Sequence, residues 1–108
     1  MLTMNEYQQL AQRTMSEEMT TEEKTLHALH GIASEVGEIH GIFQKAYQGH
    51  AVRDEELMKE VGDLLWFVAE LCTARAWQVE DVARHNIDKL KRRYPDGFDP
   101  ERSRNREE

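Results

Sequence analysis

The sequence predicts an all-helical bundle, and three observations predict it. Apolar residues recur at steps of three and four along most of the chain. The only prolines are Pro95 and Pro100, so nothing in residues 1–94 forbids helix. Strand-like alternation with turn signals at short intervals is absent. A chain of 108 residues holds one domain and one core. Residues 1–100 are therefore read as a single helical domain of four helices, and residues 101–108 as a charged tail expected to be poorly ordered.

The first helix is expected from Thr3, a suitable N-cap, to Met15 or Glu18, with Met4, Tyr7, Leu10, Ala11 and Met15 on one stripe. The second opens at Thr20-Thr21-Glu22-Glu23, where Thr20 and Glu23 have the spacing of a reciprocal capping box. It should run to about Tyr47, burying Leu29, Ile32, Val36, Ile39, Phe43 and Ala46, and stop at Gly49. The third is expected to start at Asp54 as N-cap and to reach Ala76, with Leu57, Val61, Leu64, Leu65, Val68, Leu71 and Cys72 inward. The fourth should span Val79–Arg93, carry Val82, Ala83, Ile87 and Leu90 on its apolar side, and end in the turn Tyr94-Pro95-Asp96-Gly97.

Composition narrows the function. Fourteen basic against 21 acidic side chains give a net charge of −7, which argues against a groove for duplex nucleic acid. Hydrophobic residues make up 39% of the chain and the mean hydropathy is −0.79, polar for a globular domain yet not that of a disordered chain. No apolar run approaches the roughly 20 residues a membrane span needs, and MLTMNEYQQL has neither the basic nor the apolar region of an export signal. The reading is a cytoplasmic protein. The single Cys72 leaves no internal disulfide and no Cys/His zinc set, so Cys72 and the five methionines are assigned to packing.

Chemistry enters through an internal repeat. Glu35-Val36-Gly37-Glu38-Ile39 and Glu60-Val61-Gly62-Asp63-Leu64 share one pattern, each with two acids three residues apart on one helical face. The midpoint between the copies is residue 49, where the turn is expected. If the two long helices fold back antiparallel, both acid pairs stand at the same height, roughly 18 Å from the turn at 1.5 Å per residue. Four converging carboxylates, partly buried, cost several kcal/mol unless a cation compensates. An all-carboxylate oxygen set favours Mg²⁺, with Mn²⁺ as a substitute, over zinc. Gly37 and Gly62 each cost about 1 kcal/mol in mid-helix, a cost that close approach of a ligand or another backbone beside the acids would offset, and that a helix packing contact explains equally well. A single acid pair is more often a solvated surface; two matched pairs bordering the core are not.

The spacing Glu-x-x-Glu, 21 residues, Glu-x-x-Asp, followed by Asn86-Ile87-Asp88-Lys89-Leu90 and Arg93-Tyr94-Pro95, resembles the MazG-like nucleotide pyrophosphohydrolases of the all-helical NTP pyrophosphatase superfamily. The resemblance covers about residues 25 to 100. It implies the MazG-like four-helix fold, Mg²⁺-dependent hydrolysis of nucleoside triphosphates to monophosphate and pyrophosphate, and homodimers or homotetramers built on the two long helices. It also implies that Glu35, Glu38, Glu60 and Asp63 are catalytic metal ligands and that Asn86 and Lys89 contact substrate.

Residue chemistry fits that reaction. A carboxylate not committed to the metal can take the proton of the attacking water, and Glu38 is the choice here. Asn86, Lys89 and Arg93 form a polar stripe suited to a departing pyrophosphate, with Lys45 and Lys59 as further candidates against an ordinary solvated surface. Trp66 and Phe67, within one turn of Asp63, can wall a base, although a core or subunit-interface role suits them equally and suits Trp77 better. His27 and His30 lack a third ligand and are read as exposed or packing residues. Rival readings are a phosphoribosyl-ATP or dUTP-preferring enzyme of the same superfamily, and a non-enzymatic helical interaction module. A di-iron bundle would need Glu-x-x-His pairs, and none occurs.

Overall fold

The computed structural model describes residues 1–105 and is all-helical among them. Five helices follow in order: α1 (Met4–Gln12), α2 (Thr21–Ala46), α3 (Asp54–Ala74), α4 (Val79–Arg93) and α5 (Pro100–Arg104). The expected capping box of Thr20 with Glu23 forms, and Thr3, expected as an N-cap, forms a second one with Glu6, each side-chain hydroxyl accepting from the Glu N–H at 3.1 Å. The Glu23 carboxyl is held below its ordinary range, chiefly by the Thr20 backbone N–H that it accepts from.

Several boundaries differ from expectation for local reasons. α1 stops at Gln12, because residues 13–15 turn with Thr14 and Met15 N–H groups bonded three residues back. The cap of α3 is Arg53, which has no side-chain acceptor; Asp54 is instead the first helical residue, and with Glu55 and Glu56 it complements the positive end of the helix. α3 ends at Ala74, since Ala76 adopts φ 60° and lets the Trp77 N–H close onto the Cys72 carbonyl at 2.8 Å. Gly49, at φ 92°, ends the α2 turn as anticipated. Part of the tail expected to be poorly ordered is helical: Asp99 caps α5 through the Glu101 N–H, with Pro100 at its first position. Residues 106–108 lie outside the described residues.

α2 and α3 form an antiparallel hairpin, and the core sits at its open end. Ala11 and Met15 from the first segment meet Ala69 and Cys72 of α3 and Val79 of α4, with Tyr7, Trp66 and Val68 packed around them. Burial raises the Cys72 thiol pKa, as befits a packing residue. The buried Gln8 ties this corner. Its Nε2 donates to Thr73 Oγ1 (3.1 Å) and to the Trp77 carbonyl (2.9 Å), while its Oε1 accepts from the Val79 N–H (2.8 Å). The last bond caps α4, whose own N-cap residue, Gln78, makes no side-chain cap.

The apolar stripes expected to be buried in α2 and α4 are largely uncovered within this chain, with Ile32 and Ile39 of α2 half-buried. α2 turns its small residues, Ala28 and Gly31, toward α3 together with Ile42, and leaves Leu29, Val36 and Phe43 exposed. Small side chains let the two helices approach closely, which pushes the larger ones outside. On α4 only Val79 is buried, and Val82, Ile87 and Leu90 face outward with Met58, Val61 and Leu65 of α3. No helix among the described residues is long and apolar enough to cross a membrane.

Candidate active site

The antiparallel pairing superposes the two acidic repeats. Glu35 and Asp63 each lie 14 residues from Gly49, and one oxygen each from Glu35, Glu60 and Asp63 fall within 4.8 Å of one another. Three of the four expected carboxylates thus meet. Glu38 stands outside this cluster with an exposed side chain, although its charge still reaches Glu35.

The electrostatics fit a site short of positive charge. The Glu35 pKa is raised, chiefly because its carboxyl hydrogen-bonds that of Glu60, then by burial and by the charges of Glu60, Asp63 and Glu38. Its Oε2 is buried with no hydrogen-bond partner. A hard cation satisfies both conditions, since it would take up the orphaned oxygen and offset the clustered charge. The field extends to Tyr7, whose phenol pKa is raised by burial and then by Asp63.

Beside the acids lies a cleft of about 370 Å³ lined by Thr14, Glu35, Asp63, Trp66 and Phe67. Both aromatic candidates therefore share a wall with two of the acids. The Trp66 and Phe67 rings meet edge to face, with centroids 5.1 Å apart at 89°. Phe67 rests directly on Gly31, where a methyl group would run into the ring. Behind it His27 Nδ1 pairs with Oε1 of the fully buried Glu70 at 2.6 Å, and the His27 ring lies 5.8 Å from Phe67. His27, its side chain half exposed, is thus tied to a specific buried partner. Trp77, expected at a core or interface, is half exposed at the α3–α4 corner.

Other expected contacts lie elsewhere in this chain. Lys45 lines a separate cleft of about 400 Å³ near the Gly49 turn, with Ile42, His50, Ala51, Arg53 and Glu56. Asn86, Lys89 and Arg93 sit on α4, and none lines the aromatic cleft. The space beside Gly37 and Gly62 is open, so the close approach expected there is not made within the chain.

Sequence reasoning missed Thr14, Tyr7 and Glu70. Thr14 reaches the cleft from the first segment, Tyr7 packs on the core within the field of Asp63, and Glu70 meets His27 across 43 residues. Only the position of Glu70, seven residues after Asp63 and so on the same face of α3, was a usable signal.

Comparison with known proteins bears on the same stretch. The model of the MazG nucleotide pyrophosphohydrolase domain matches residues 21–98, which takes in α2, α3, α4 and both acidic repeats and leaves α1 outside. Neither a curated protein nor a solved structure matches. A match over well more than half of the chain, on the helices that bring the carboxylates together, places this protein in the MazG nucleotide pyrophosphohydrolase domain family.

Proposed function

We propose that the chain hydrolyses nucleoside triphosphates, deoxy or ribo, to the monophosphate and pyrophosphate in a Mg²⁺-dependent reaction. The observation that carries this reading is the meeting of Glu35, Glu60 and Asp63 within 4.8 Å, beside an aromatic cleft. These residues would hold the ion, with Mn²⁺ as a substitute, and Glu38 stands one helical turn from Glu35 as the carboxylate least committed to it. When bound, the ion neutralises phosphate charge and lowers the pKa of a coordinated water.

The chain's own groups do the rest. Trp66 and Phe67 receive the base, which places the α-phosphate next to the carboxylates. Glu38, outside the cluster, takes the proton of the attacking water as its oxygen bonds to the α-phosphorus. The bond from the α-phosphorus to the bridging oxygen breaks, and pyrophosphate leaves with that oxygen. Asn86, Lys89 and Arg93 are the groups proposed to stabilise the departing charge once the α4 of a second copy covers the cleft, with Lys45 as a further candidate cation.

Homodimers or homotetramers follow from the uncovered apolar residues of α2, α3 and α4, which a second copy would bury. The partner's α4 would bring the polar stripe over the cleft, and its backbone would occupy the open space at Gly37 and Gly62. The acidic net charge and the absence of a spanning helix among the described residues support a cytoplasmic enzyme with neither duplex nucleic acid nor membrane as partner. The test is incubation with each dNTP and NTP plus Mg²⁺, with product analysis. Pyrophosphate and a monophosphate are expected; release of orthophosphate, or of nothing, overturns the reading.

A further inference from the structure

The segment ahead of the family match contributes one residue to the cleft, Thr14, and its hydroxyl is committed on both sides. It donates to the Ala11 carbonyl at 2.7 Å and accepts from Trp66 Nε1 at 2.8 Å. The turn that carries it is fixed, because Ala11 and Met15 on either side are buried in the core and the Thr14 N–H also bonds to the Ala11 carbonyl at 3.0 Å. The indole has a single polar atom and therefore a single directional anchor. With that anchor the edge of Trp66 is held by the first segment while its ring packs edge to face on Phe67, which Gly31 in turn seats. Glu35 and Asp63 line the same cleft, so the indole plane stands in a fixed relation to the phosphate end.

We infer that Thr14 is a positioning residue for nucleotide recognition: through the Trp66 Nε1 bond it sets the aromatic wall against which the base stacks, making the α1 turn part of the substrate site. This rests on the proposed function. A pre-set ring spares the nucleotide the entropy of ordering it, so loss of the anchor weakens binding of substrate and transition state alike and leaves the chemical step intact.

The test compares Thr14→Val, which keeps shape and branching but removes the hydroxyl, with Thr14→Ser, which restores it. With the best dNTP and saturating Mg²⁺, Thr14→Val should raise KM about five-fold, the worth of one neutral hydrogen bond, with kcat within two-fold of wild type. Thr14→Ser should return KM to within two-fold of wild type. An unchanged KM, a fall in kcat alone, or no recovery with serine overturns the inference. Should the valine variant fail to fold, Thr14→Ala carries the same comparison. Independent of turnover, Trp66 fluorescence in a Trp77→Phe background is titrated with α,β-methylene dNTPs and Mg²⁺, which cannot be cleaved at that bond. Analogue binding five-fold weaker in Thr14→Val supports the positioning role even if the wild-type chain releases no pyrophosphate, in which case only the proposed activity falls. Equal binding in both proteins, or none in either, overturns it.

Discussion

At the α1–α3–α4 corner the buried amide of Gln8 finds three partners, whereas at the acidic level of the hairpin the buried Oε2 of Glu35 finds none. The same helix, α3, serves both places. Its later turns, with Ala69 and Cys72, join a closed core. Its earlier turns present Glu60 and Asp63 to a like-charged neighbour and leave the space at Gly62 open. The first arrangement satisfies the Gln8 amide in full, although Glu70, fully buried on the same turns of α3 as Ala69 and Cys72, keeps one unpartnered oxygen, Oε2. The second gathers three carboxylates around an unpartnered oxygen and leaves the space beside them open, an arrangement suited to taking up a cationic ligand. The corner is therefore read as the scaffold and the acidic level as the working part.

The contrast breaks most sharply at Asp63. Asp63→Asn is expected to lower Mg²⁺-dependent pyrophosphate release by about 10³-fold, in line with the several kcal/mol a metal supplies to phosphoryl chemistry. The melting temperature of the metal-free protein should hold or rise, because one repulsive charge is gone. A variant that loses activity by unfolding would show that the acids are structural. Gln8→Ala is the converse experiment: it strands the Val79 N–H and the Trp77 carbonyl, and urea unfolding should report a loss of about 2–3 kcal/mol. Folded Gln8→Ala protein should keep its kcat, and a large fall in kcat would erase the distinction between scaffold and working part.

The smallest effect is a pH dependence. The Glu35 pKa in the folded chain lies above its ordinary value of 4.5, so between those two values the folded state binds more protons than the unfolded one. Stability of the metal-free protein is then expected to fall as pH rises through that window, and to stay lower above it. Saturating Mg²⁺ should offset the loss once Glu35 is ionised. Thermal unfolding across pH, with and without Mg²⁺, checks both signs; a metal-free profile rising through the window contradicts the account of Glu35.

Much of this was legible because it is local or periodic. Thr3 and Thr20 with their glutamates three residues on specify caps within one turn, and the repeat centred on residue 49 gave both the hairpin and the level at which the acids meet. Periodicity identifies an apolar face but not which neighbouring face the partner helix selects. α2 shows the difference: Ala28 and Gly31 pack inward because Phe67 needs the room at Gly31, while Leu29, Val36 and Phe43 remain outside. Spacing also overstated the site, since Glu38 shares the motif yet stands clear of the other three acids. Thr14 was beyond reach, because its role depends on where α1 ends and on an indole 52 residues away. The same holds for Gln8, which shares the face of Met4, Ala11 and Met15 but whose amide partners, at Thr73, Trp77 and Val79, lie 65 to 71 residues away.

The cap that Gln8 provides has a consequence for how the molecule breathes. A helix whose first N–H is satisfied from a distant segment cannot secure its own start, so α4 gains its N-terminal turn only when α1 has docked. That docking also places Thr14 against Trp66. Lifting α1 therefore frays the start of α4 and loosens the indole in one cooperative opening, and amide exchange at Val79 should keep time with the first segment rather than with the rest of its own helix.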